Sequence, residues 1–190
     1  MRSLFLIILL LSSLSASAGQ WYQDEAIAES RPDIGSSNGF GAMIIMTTDS
    51  QEALRNWAQP TRGVYLPRSE TVEKGRPMEA LIVFSGCRPN DKGNCVVAAD
   101  YKILKPDGSL YAKYEDTEVW RNKPVIPAGR VGLAVDRVGL IADPDDPIGE
   151  YKIHCTVRDT IANSEFTISA GFVVVEASKK PHPTADAPVE

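Results

Sequence analysis

From residue 63 onward the chain is a succession of short apolar runs divided by turn residues, with almost no helical period. Residues 77–86 hold the continuous run Ala80-Leu81-Ile82-Val83-Phe84, which predicts a central strand covered on both faces. Residues 95–104 alternate instead: Val97, Ala99, Tyr101 and Ile103 face one way, Asp100 and Lys102 the other. That pattern belongs to a strand with one packed and one wet face. The sequence Lys105-Pro106-Asp107-Gly108-Ser109 then predicts a tight turn, closing a hairpin onto residues 110–114. Residues 119–128, with Trp120, Pro124 and Pro127, read as an irregular connection, and residues 131–142 as one bent strand broken at Gly132 and Gly139. Tyr151, Ile153, Cys155 and Val157 alternate with polar residues, and so do Phe166, Ile168, Ala170, Phe172 and Val174. About eight strands at this spacing predict an all-β, antiparallel sandwich over residues 62–176.

The N-terminal side differs. Residues 40–46 form an apolar run, a strand expected to dock on the domain. Asp49 and Glu52, three apart, start a short helix that stops before Pro60, so residues 40–61 read as strand plus helix. Trp57 is expected to anchor that helix by packing. Residues 19–39 and 177–190 lack a sustained period and carry Pro, Gly, Ser and Ala, and they are read as a loose arm and a disordered tail.

Residues 1–18 have Arg2, an apolar stretch and the small-residue ending Ala16-Ser17-Ala18, the form of a cleavable secretory signal peptide. The apolar stretch is far shorter than the roughly 20 residues that span a bilayer, so no membrane insertion is expected after cleavage. Removing Arg2 takes the formal charge from −5 to −6 without any basic cluster. Nucleic acid, which needs grouped Lys and Arg, is therefore not an expected partner.

Of the three cysteines, Cys87 and Cys95 enclose the turn-rich stretch Arg88-Pro89-Asn90-Asp91-Lys92-Gly93-Asn94. In an exported chain they are a natural disulfide pair. Cys155, inward on its strand, reads as a small buried hydrophobe. The two histidines, His154 and His182, have no partners at metal-ligand spacing, and Asp143, Asp145 and Asp146 read as a solvated turn. No catalytic group, metal or cofactor is expected.

The stretch Pro147-Ile148-Gly149-Glu150-Tyr151-Lys152-Ile153, followed by Val157, Asp159 and the close Phe172-Val173-Val174, resembles the last two strands of immunoglobulin-like and macroglobulin-like domains. The resemblance implies that the Tyr151 hydroxyl bonds back to upstream backbone. It also implies that all three cysteines lie near one pole, with Cys87–Cys95 the expected bridge and Cys87–Cys155 the alternative. Landmarks from Phe84-Ser85-Gly86-Cys87 to Asp146-Pro147-Ile148-Gly149 are similar to small exported bacterial proteins of unassigned function, which implies a periplasmic or secreted place. By analogy of fold, such a domain is expected to be a non-enzymatic binding or accessory module with a protein partner. The alternative is a carbohydrate- or small-ligand-binding domain using an aromatic surface at Trp120 and Tyr114.

Overall fold

The computed structural model describes residues 31–59 and 63–178; the expected signal peptide, the arm up to residue 30 and the tail from 179 lie outside them. Two five-stranded sheets pack face to face, in a β-sandwich that resembles immunoglobulin-like domains. Sheet I contains β1 (Ile34–Ser37), β2 (Phe40–Thr47) and β4 (Pro77–Ser85), with β7 (Gly132–Leu133) and β8 (Val138–Ile141) both pairing with β4. Sheet II has the order β3 (Thr71–Glu73), β10 (Ser164–Val175), β9 (Gly149–Asp159), β5 (Asn94–Leu104) and β6 (Leu110–Pro124). Every pairing is antiparallel except that of β3 with β10.

The main core lies between the sheets. Alternate residues of β2 (Phe40, Ala42, Ile44), β4 (Met78, Ala80, Ile82, Phe84), β5 and β9 point into it. The continuous apolar run of β4 is explained by a second core on the outer face of sheet I. There Leu81, Val83, Ile45 and Leu133 are covered by Ala53, Leu54 and Trp57 of the helix α1 (Ser50–Ala58) and by Leu66. The Asp49 carboxylate caps α1 by accepting the Glu52 backbone N–H at 2.9 Å.

The structure corrects several readings of the N-terminal half and of the connections. Part of the expected arm, residues 34–37, is the strand β1, because Asn38 and Gly39 both adopt positive φ (52° and 82°) and close a two-residue hairpin onto β2. The strand read over residues 40–46 is not laid against a finished sandwich; as β2 it sits between β1 and β4. Residues 119–124 are not irregular but continue β6, whose extra residues are absorbed by bulges against β5. The bent strand expected over 131–142 is two short strands, β7 and β8, divided by residues 134–137.

Cys87 and Cys95 form the disulfide, with Cα atoms 6.0 Å apart. Asp159, fully buried, pins this loop to the β9–β10 turn: one carboxylate oxygen accepts the Arg88 N–H at 2.6 Å, the other those of Ile161 (3.0 Å) and Ala162 (3.2 Å). Cys155 is a buried free thiol, but not at the disulfide pole. It faces Tyr101, six residues along β5 from Cys95, a distance of roughly 20 Å at strand rise. Burial pushes its thiol up to about 12. At the opposite pole the Tyr151 hydroxyl donates to Pro147 O at 2.9 Å, and its ring stacks on Phe172 at 5.7 Å and meets Tyr111 edge-on.

Candidate functional site

One side of the sandwich is closed and the other is not. Where β1 meets β10, the Ser169 N–H bonds Pro32 O at 2.7 Å and the Ser164 hydroxyl bonds Ser37 O at 3.0 Å. On the opposite side the edge strands β6 and β8 face each other without a ladder between them.

The shape of β6 creates this seam. Its register against β5 shifts at four places, and Asp116 and Asn122 take left-handed φ near 52° and 53°. Each bulge adds a residue to β6 and bends it. The bulge at Asp116 is held from two sides: its N–H donates to Asp100 at 2.9 Å, and its carboxylate pairs with Arg121 at 2.9 Å. Asp100 is clamped in turn by the Arg158 guanidinium, whose hydrogen bonds hold its carboxyl down at about 2. Past the bulge, β6 swings over to sheet I, where Glu118 O and Val119 O accept the N–H groups of Asp136 (3.1 Å) and Val135 (3.0 Å).

Before the bulge the strands are bridged only by side chains. The Tyr111 hydroxyl reaches Ile141 O at 3.2 Å, and that of Tyr114 reaches Gly139 O at the long distance of 3.5 Å. The carbonyls on the free edge of β8 thus meet tyrosine hydroxyls where a neighbouring strand would supply N–H groups. Between the strands lies a groove of about 560 Å³ lined by Glu79, Tyr114, Thr117, Val135, Asp136 and Arg137. Of its lining residues, Tyr114 and Val135 are exposed; Leu110 at the start of β6 and Ile141 at the end of β8 are exposed outside the groove.

The charges of the groove are unequally satisfied. Glu79 has both oxygens engaged, one by Arg137 at 3.2 Å and the other by the buried Ser50 hydroxyl. Asp136 accepts only the Glu118 N–H, at 3.2 Å, and among the described residues no cation lies within ion-pairing distance of it.

Of the residues singled out in the sequence, only Tyr114 belongs to this groove. Trp120 is placed elsewhere: its indole N–H donates to Pro124 O at 2.9 Å, its ring packs on Phe84 at 5.6 Å, and the Lys123 ammonium lies 5.9 Å from the ring centre. The two aromatics oppose Val97 and Tyr101, four residues apart on β5, and form no common surface. Trp57 lies in the second core; Cys87 and Cys95 are joined in the disulfide, the Tyr151 hydroxyl donates to Pro147 O, Cys155 is a buried thiol, and none of them lines the groove. Sequence reasoning missed Glu79, Thr117, Asp136 and Arg137. The one available signal was Glu79, a charge inside an otherwise apolar strand. Among the described residues no group of three or more His, Cys, Asp or Glu is placed to hold a metal ion, and no helix is long and apolar enough to cross a membrane.

No protein-family model and no curated protein matches the chain. Solved structures with limited similarity to it are 11–14% identical. A family 123 glycoside hydrolase from Clostridium perfringens is 12% identical, with a TM-score of 0.44, over 74% of this chain and 28% of the hydrolase. The CARDB domain of a Pyrococcus furiosus protein is 11% identical, with a TM-score of 0.33, over 74% of this chain and 93% of the domain. An immunoglobulin-like protein from Pseudomonas aeruginosa is 14% identical, with a TM-score of 0.29, over 75% of this chain and 96% of that protein. The chain spans little more than a quarter of the hydrolase.

Proposed function

We propose that this chain is an exported, non-enzymatic binding module of the periplasm or extracellular space, and that it engages a protein partner at the seam between β6 and β8. The observation that carries the reading is the edge of β8, where, among the described residues, Gly139 O and Ile141 O are bridged by the Tyr114 and Tyr111 hydroxyls alone. Unpaired strand edges are templates for an added strand, which gains main-chain hydrogen bonds along them and specificity from neighbouring side-chain pockets. The exposed apolar side chains Val135 and Ile141 add surface to bury. Full engagement of the Glu79 carboxylate favours a binding surface over proton transfer. The carbohydrate reading loses its aromatic pair, because Trp120 is committed to Phe84 and Pro124.

The test begins with affinity capture by the mature domain from its native source. The captured partner, purified, is then titrated against wild type, Val135→Arg at the seam and Lys152→Glu on the outer face of β9. The expected result is at least about tenfold weaker binding for Val135→Arg, the size of a disrupted interface anchor, and no change for Lys152→Glu. Unchanged affinity for Val135→Arg would remove the seam from the interface.

A further inference from the structure

The seam has an electrostatic asymmetry that bears on what enters it. Its one arginine, Arg137, is already neutralised by Glu79, and Glu79 is further engaged by Ser50. Among the described residues, the groove carboxylate left without a cation is Asp136. It lines the same groove as Tyr114, whose side chain spans the gap from β6 to Gly139 O through a long, weak hydrogen bond. An aromatic ring and an uncompensated carboxylate in one groove are complementary to a cationic side chain. The ring face attracts the cation through its quadrupole and the carboxylate through charge. A neutral or acidic side chain there would leave Asp136 uncompensated, or add a like charge to it.

Resting on the seam as the binding site, we infer that its occupant is an extended segment of a partner protein that carries a lysine or arginine. The cationic head reaches the Tyr114 ring and the Asp136 carboxylate. The backbone of the segment runs along β8, and its N–H groups replace the tyrosine hydroxyls at Gly139 O and Ile141 O. A groove of about 560 Å³ has room for a few residues of such a strand. Val135, which lines the groove and is exposed, offers apolar surface for a neighbouring side chain.

The experiment uses the full chain, ¹⁵N-labelled, and three synthetic pentapeptides. The first is acetyl-Thr-Val-Lys-Val-Thr-amide; the others carry norleucine or glutamate in place of lysine. Amide shifts of residues 114–118 and 135–141 are followed at millimolar peptide and at low and high salt. The lysine peptide is expected to shift these amides and to bind about tenfold more tightly than the norleucine peptide, with the glutamate peptide weakest. Salt should reduce the advantage of lysine. Asp136→Asn should erase most of it, Tyr114→Phe should keep it because the ring remains, and Tyr114→Ala should lose it. Unchanged spectra away from the seam show that each variant is folded. Equal seam binding of the lysine and norleucine peptides would overturn the inference about charge while leaving the seam as a binding site. Failure of every peptide to shift the seam would overturn both.

Discussion

Asp159 tests how this sandwich holds its disulfide pole. The side chain is fully buried at the end of β9 and accepts three backbone N–H groups, from Arg88 in the disulfide loop and from Ile161 and Ala162 in the next turn. Asp159→Asn keeps the shape but turns one acceptor into an NH₂ facing a donor, and removes the charge that strengthens the remaining bonds. A buried donor left without its acceptor costs about 1–3 kcal/mol, so about 2 kcal/mol is expected. Asp159→Ala abandons all three donors; solvent can replace the acceptor at the exposed Ile161, and about 4 kcal/mol is expected. For a domain of this size the asparagine variant should melt roughly 4–8 °C lower than wild type. The assay is urea and thermal unfolding followed by circular dichroism, with the disulfide intact and again after reduction. Because Arg88 adjoins Cys87, opening the disulfide should shrink the cost of Asp159→Ala by at least about 0.5 kcal/mol, the coupling of two contacts that restrain one loop. An asparagine variant indistinguishable from wild type would refute the argument that this carboxylate clips the loop to the turn.

Further outcomes follow from other contacts. Tyr151→Phe leaves Pro147 O without its donor and should destabilise the domain by about 1 kcal/mol in denaturant titration. Reducing Cys87–Cys95 should cost about 2.6 kcal/mol from the closure entropy of its short loop, while Cys155 should resist alkylation until the protein unfolds. The Arg158 guanidinium depresses the Asp100 carboxyl from 3.8 to about 2. The pair therefore contributes stability that is fully present above about pH 4 and lost as pH falls through about 2. In acid melts, the advantage of wild type over Arg158→Gln should hold at neutral pH and vanish across that window.

Much of the fold could be read from local pattern. The alternation in β5, β9 and β10 fixes which residues face inward, and the continuous apolar run of β4 signals cover on both faces, which α1 supplies on the outer side. The disulfide was legible because a turn-rich loop joins its ends. The seam was not, because it depends on residues distant in sequence. β6 looked broken at Val119 because its bulges disrupt the period-2 pattern, and those same bulges carry it across to residues 135 and 136. The separation of Tyr114 from Trp120 has the same origin. Cys155 was misplaced along the sandwich axis because alternation fixes a residue's face and strand direction the pole it runs toward, but neither fixes the register, which opposite Tyr101 is set by the whole β5–β9 ladder. Tyr101 itself carries a buried hydroxyl with no hydrogen-bond partner of ordinary geometry, beside the Cys155 thiol, and burial raises its pKa well above the ordinary value.

The central claim is that this sandwich binds its partner through the open seam, and hydrogen–deuterium exchange of the complex with the captured partner tests it most directly. The account predicts new protection confined to residues 110–119 and 135–141, with the amides of the closed β1–β10 side and the outer face of β9 unchanged. Protection centred instead on Lys152, His154 and the rest of that outer face, with the seam still exchanging as in the free protein, would contradict it.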